Sequence, residues 1–292
     1  MRIADFVDGV SQDDVLTKAK QGDPLAQWAM GELYQRGDGV PKDEKEAARL
    51  YRLSADQGNP VGQMKLGTMY SYGLGVEKNL AEAASWYRKA AEQGFAPAQL
   101  RLAVMYDSGE GVPKDSAEAI RLYRLSAEQG DKMAQFELGC NYLLGNGVDE
   151  NAAEAEKWYR KSADQGFLES QKYLARLFDG GDILPKNPSE ATRYAELAAA
   201  QGDPESQVRL GMRLLWGEVV PRDVENGISW LKKAAAQGNR VAHAVLGMIQ
   251  WDRIEALSGE KLVYEIYACA GATKLGMPFP ELSGADVELY QK

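Results

Sequence analysis

The chain is short of the side chains that most enzymes use for chemistry. Its 292 residues include one histidine, His243, and two cysteines, Cys140 and Cys269. Nucleophilic catalysis needs a base beside its nucleophile, and a metal centre needs several converging ligands. The composition therefore points away from an enzyme, and we assign no catalytic residue, no metal and no cofactor. Two cysteines so far apart in sequence do not make the disulfide framework of a small secreted domain, and both read as free thiols. No stretch approaches the roughly 18 to 20 apolar residues that a membrane span requires, so no membrane span is expected. Positive charge is also scarce, with 34 Lys and Arg against 43 Asp and Glu and a net charge of −9. Nucleic acid, whose affinity for proteins rests on basic contacts to phosphate, is not an expected partner. The opening residues Met1-Arg2-Ile3-Ala4-Asp5-Phe6-Val7-Asp8 carry acids where a signal peptide has its apolar core. This places the chain in the cytoplasm, or in the periplasm if a leader preceded the numbering.

What the sequence has in abundance is repetition. Gln-Gly stands at 21-22, 57-58, 93-94, 129-130, 165-166, 201-202 and 237-238, always thirty-six residues apart. A fixed period of this size is the signature of a solenoid, whose units stack because none can bury its apolar face alone. Length alone suggests about two domains, but a solenoid grows linearly and one elongated domain is expected.

Residues 59 to 94 serve as the type unit. Asn59-Pro60 reads as an N-cap with proline at the first helical position, where its missing N–H costs nothing, and it starts helix A. Leu66, Gly67 and Tyr70 recur as Met30, Gly31 and Tyr34 and as Leu102, Ala103 and Tyr106. These offsets lie on one helical face, with the small residue admitting a neighbour at close range. The loop Gly73-Leu74-Gly75-Val76 has glycines suited to positive φ. It follows a helix rather than a strand, so it is not read as a phosphate loop. Helix B opens on Asn79 with Glu82 three residues later, a capping box, and ends at Gln93-Gly94. The expected architecture is all-α: an N-terminal capping helix in 1–22, seven repeats at 23–58, 59–94, 95–130, 131–166, 167–202, 203–238 and 239–276, and a capping tail at 277–292. The seventh unit loses the loop motif around Trp251 to Ser258 but keeps Ile266-Tyr267 and Ala270 in phase.

The pattern Ala-x-x-x-Leu-Gly-x-x-Tyr-x-x-Gly-x-Gly-Val, continued through Trp86-Tyr87 to Gln93-Gly94, resembles the Sel-one-like repeat, a relative of the tetratricopeptide repeat. The resemblance covers about residues 11 to 276. It implies a right-handed α-superhelix acting as an adaptor for protein complexes, with bacterial members in signalling, envelope assembly, host interaction and toxin immunity. The motif residues are scaffold residues, so no functional site is carried over from them. Some cysteine-rich members are described as binding or slowly hydrolysing β-lactams, but they carry a cysteine pair in each repeat, which this chain lacks.

The informative positions are those that the repeat leaves free. His243 stands where other repeats have Gln27, Gln63, Gln99, Gln135, Gln171 and Gln207, and reads as a framework substitution. Cys140 shares a variable slot with Glu32, Thr68, Val104, Arg176, Met212 and Met248, while Cys269 falls on helix B. On a helical wheel the side opposite the framework is centred on the Glu32 slot. A water-facing helix should be polar there, yet Trp28, Met64, Tyr72, Phe136, Cys140, Leu144, Tyr173, Arg176, Met212 and Trp216 make an apolar and aromatic stripe. Aromatic, methionine and arginine anchors dominate interface energetics. These ten residues are therefore the candidate partner-binding groove of helix A, for a protein or peptide of unknown identity. The chain is expected as a monomer or in a partner-dependent complex. A weak hydrolase, or a binder of a small molecule or peptidoglycan fragment, is the alternative.

Overall fold

The computed structural model describes residues 12–217 and 219–250. Fourteen helices and no strand occur among them. The chain forms two compact units that divide between Phe167 and Leu168. The first unit contains α1 (Gln12–Lys20), α2 (Pro24–Arg36), α3 (Glu44–Asp56), α4 (Pro60–Tyr72), α5 (Leu80–Glu92), α6 (Ala96–Ser108), α7 (Ser116–Glu128), α8 (Lys132–Leu144) and α9 (Ala152–Asp164). The second contains α10 (Leu168–Gly180), α11 (Pro188–Ala200), α12 (Pro204–Trp216), α13 (Val224–Ala236) and α14 (Arg240–Gln250). The capping tail, Cys269 and the second half of the expected seventh repeat lie outside the described residues.

Each repeat is an antiparallel helix pair whose ends are set by side chains. Asp23 accepts from the Ala26 N–H with Pro24 at the first helical position, and Gly37 closes α2 at φ 78°. The pair α2–α3 then meets at Gly31, where a Cβ would stand 2.7 Å from the Tyr51 ring. Gly67 and Gly139 face Tyr87 and Tyr159 at 2.8 Å in the same way. In the pair α12–α13 the aromatic ring is replaced by Leu231, and Gly211 and Gly227 bring the two backbones together, each within 2.9 Å of a Cβ built on the other.

The capping box forms only in half. Asp43 accepts from the N–H groups of Lys45 and Glu46, but Glu46 does not reach back. Its carboxylate takes two bonds from Arg49 instead, and Glu118 does the same with Arg121. The reason is that the cap N–H already has a partner: Asp43 donates to the Tyr34 carbonyl, as Asn79, Asp115 and Asn151 donate to those of Tyr70, Tyr106 and Tyr142.

Adjacent repeats are joined by an amide ladder. Gln63 Nε2 donates to the Ala55 carbonyl at the end of the preceding helix B at 3.2 Å, and Gln93 Nε2 donates to Gln63 Oε1 at 2.8 Å. The same two bonds recur from Gln99 and Gln129 and from Gln135 and Gln165, and in the second unit from Gln207 and Gln237. Arginines add a second stitch, with Arg88 donating to the Tyr106 hydroxyl at 3.0 Å and Arg124 to that of Tyr142 at 2.8 Å. The loops close the contact: a Cβ on Gly75 would lie 2.1 Å from the Glu44 carbonyl oxygen.

Candidate partner-binding face

Helix A of each repeat turns framework positions toward its own helix B and its neighbours, and what remains is the face through the slots of Ala29, Glu32 and Arg36. The slot at the centre of that face is not free. Glu32 is only 2% exposed and accepts from the Tyr51 hydroxyl at 2.6 Å, and it pairs with Lys65 of the next helix A at 2.6 Å. Thr68 shares a hydrogen bond with the Tyr87 hydroxyl at 3.2 Å, and Cys140 Sγ accepts from Tyr159 at 3.3 Å. In three repeats of the first unit, then, the variable residue is the acceptor or partner of a buried helix-B tyrosine. The tyrosine's reach past a glycine is what makes this contact.

The ten candidate residues divide by environment. Trp28 is 2% exposed and belongs to the core cluster with Val15, Ala19 and Tyr51. Its slot faces neighbouring helices, since Leu100 and Val208 in the same place are also buried. Met212 is 8% exposed and packs with Val208, Val245 and Met248. As placed, both are core side chains, against the expectation that they line an open groove. Met64 is half-buried. Phe136 is half-buried as well, with ring centroids 5.7 Å from Tyr159 and 5.5 Å from Phe167. Tyr173 and Trp216 are half-buried, and Arg176 is exposed in an ion pair with Glu205.

In the first unit the exposed apolar side chains of this face are Tyr72 at 63%, Val104 at 42%, Met133 at 46% and Leu144 at 76%. Arg101 is exposed one turn before Val104. The second unit satisfies its own face. Asp179 pairs with both Arg209 and Arg213, Arg176 with Glu205, and Lys172 with Asp203 at 3.3 Å. These pairs bind α10 to α12 through groups about thirty residues apart. The sequence reading missed them; the available signal was a set of opposite charges a little less than one repeat apart.

The chemistry available is limited. Burial pushes the Cys140 thiol up to about 11, with the Tyr159 hydrogen bond opposing and the Glu137 charge adding to the shift. This is the opposite of an activated nucleophile. His243 is exposed in α14. Among the described residues no group of three or more His, Cys, Asp and Glu could hold a metal ion, and no helix is long and apolar enough to cross a membrane.

The Sel1 repeat family model matches residues 24–59, 60–95, 96–131, 132–167, 168–203 and 204–239. Among solved structures, c5321, a protective antigen of uropathogenic Escherichia coli strains displaying an SLR fold, is 34% identical with a TM-score of 0.71. That similarity covers 89% of this chain and 56% of that one, so this chain spans little more than half of its length. A Sel1 repeat protein from Oxalobacter formigenes is 33% identical over 78% of this chain and 91% of that one, with a TM-score of 0.67. Immunity protein Pa5087 from Pseudomonas aeruginosa is 16% identical with a TM-score of 0.44 over 73% and 81%, too distant to bear on function. No curated protein matches the chain.

Proposed function

The chain belongs to the Sel1 repeat family, and from that membership we propose that it is a non-catalytic scaffold holding a protein or peptide partner on the helix-A face of its first unit. The observation that carries this reading is the contrast within that unit. Framework positions are buried and hydrogen-bonded, while Tyr72, Val104 and Leu144 stand out into solvent from three successive helices A. Apolar and aromatic side chains kept exposed beside a charged neighbour such as Arg101 have the composition of an interface core and rim. The self-paired charges of the second unit make its helix-A face the weaker candidate. Neutralising a toxin would be one form of the same activity, achieved by shape complementarity without chemistry.

A photocrosslinking residue at position 72 or 144, introduced in the native host, is expected to capture one defined partner. The same residue at Arg121, on an outer helix B, is expected to capture none. Tyr72→Ala with Leu144→Ala should weaken capture while leaving helical content intact. Equal capture from position 121, or full capture by the double variant, overturns the assignment.

A further inference from the structure

One helix-B tyrosine of the first unit lacks the partner that its equivalents have. Tyr51, Tyr87 and Tyr159 each meet the variable residue of their own helix A, at Glu32, Thr68 and Cys140. The residue in that place opposite Tyr123 is Val104, whose side chain offers no acceptor. Tyr123 is 1% exposed, and its hydroxyl makes no hydrogen bond among the described residues. Leaving a buried hydroxyl unpaired is unfavourable. Unlike the indole N–H groups of Trp28, Trp86 and Trp158, this hydroxyl is not sealed from the surface.

The charges around it are inverted as well. In the first two repeats Lys65 pairs with Glu32 at 2.6 Å, and Tyr51 also donates to Gln35 at 2.8 Å. Two repeats further on, the places of Lys65 and Gln35 are held by Glu137 and Asp107. Glu137 is half-buried, and its carboxylate has neither a cation nor a hydrogen-bond donor among the described residues. Asp107 accepts one bond, from Asn146 at 3.1 Å. Burial raises the Glu137 pKa and the Asp107 charge adds to the rise, as two acids do when they stand near each other without a cation. Both charges also act on Tyr123. Arg101, on the same helix as Val104, bears on Tyr87 instead.

Resting on the assignment of the helix-A face as the docking surface, we propose that the gap between Glu137 and Asp107 takes a lysine or arginine side chain of the protein partner, held by the two carboxylates and the Tyr123 hydroxyl, with the partner's flanking apolar residues on Val104 and Leu144. Two carboxylates and a phenol oxygen without a partner suit a group that only donates. Among the described residues no third His, Cys, Asp or Glu joins the pair to make a metal-binding set. In the second repeat the chain supplies such a cation itself, as Lys65; here it comes from outside, and a net charge of −9 draws it in.

A random peptide library displayed on phage and selected against the full chain is expected to enrich sequences with one Lys or Arg between apolar residues. For an enriched peptide, Glu137→Gln should weaken binding by about tenfold. Replacing the peptide's basic residue by norleucine should weaken it as much, and the two changes together should add little. Glu137→Gln should leave the melting temperature of the free chain unchanged or raise it, because it removes an unpaired charge; lost binding is then not lost folding. Glu137→Lys, which builds into the chain the cation that Lys65 supplies in the second repeat, should abolish binding. Peptides that need Tyr72 and Leu144 but bind equally well after Glu137→Gln overturn the inference and spare the face. Peptides that ignore Tyr72 and Leu144, or a library that yields none, overturn both. A melting temperature lowered by Glu137→Gln overturns the inference by revealing a partner within the chain. A rise in melting temperature with calcium that Glu137→Gln removes does so by making the occupant a metal ion.

Discussion

The Tyr51 hydroxyl donates a 2.6 Å hydrogen bond to the buried carboxylate of Glu32 on the facing helix. The same carboxylate holds Lys65 at 2.6 Å and Arg36 at 3.2 Å. One side chain thus ties together helix A of one repeat, its own helix B and helix A of the next. Glu32→Ala should lower stability by about 1–3 kcal/mol, the range for losing hydrogen bonds to a charged group. Glu32→Gln keeps an oxygen for Tyr51 and should cost less. Urea midpoints at constant m-value check both; equal losses would show that the ion pairs, and not the tyrosine, dominate.

Stability should fall at alkaline pH through the tyrosines. Burial, followed by the Glu32 charge, raises the Tyr51 pKa far above the usual phenol range. Burial likewise raises Tyr87, and burial with the Glu137 and Asp107 charges raises Tyr123. A phenol with a raised folded pKa keeps its proton above pH 10, where the unfolded chain has lost it. Its stabilising contribution is full below about pH 10 and is lost as pH rises, by about 1.4 kcal/mol per pH unit for each such group. Tyr51→Phe should flatten the decline between pH 10 and 12 in denaturation measured across that range.

Gly75 and Gly94 share positive φ, at 66° and 81°, in different surroundings. A Cβ at Gly94 meets nothing within 4 Å, while one at Gly75 would enter the Glu44 carbonyl. Gly94→Ala should cost only the left-handed strain, about 1–2 kcal/mol. Gly75→Ala should cost distinctly more, because a backbone must move. Calorimetry of the two variants checks the order.

Cys140 should resist alkylation in the folded chain. With its thiol at about 11, its thiolate fraction at pH 8 is roughly a hundredfold below that of a free cysteine. Site-resolved mass spectrometry after brief iodoacetamide treatment should show little label at Cys140, and full label in urea. Tyr159→Phe would remove the hydrogen bond to the sulfur without creating a faster nucleophile.

The register was legible because it is written in residues that tolerate few substitutes: the caps Asn59 and Asp115, the left-handed Gly73, and Gln93 in its ladder. Gly67 was correctly read as a close approach, since only a missing Cβ admits Tyr87. The environment of the variable slots was not legible. Whether Glu32 faces water depends on how far Tyr51 and Lys65 extend, and these come from other helices. Trp28 failed for the same reason: a helical wheel separates two sides, but a helix packed against three neighbours has little free side left. Glu46 illustrates a motif read correctly in position but not in partner, since the Tyr34 carbonyl had already taken the N–H that it would have served.

The amide ladder also bears on how such a chain can change length. Each rung closes over a short stretch: Gln99 reaches back eight residues to Ala91, and Gln129 reaches thirty back to Gln99. No rung identifies which copy it belongs to, so Gln63 could serve Gln129 as well as Gln93. Duplication or loss of a thirty-six-residue segment, wherever its breakpoints fall, therefore restores a complete set of rungs. An insertion of one residue inside a helix instead shifts the register of the rung that spans it. The ion pairs of Asp179 with Arg209 and Arg213 behave differently, because they fit only these two neighbours and fix the order of the copies that carry them.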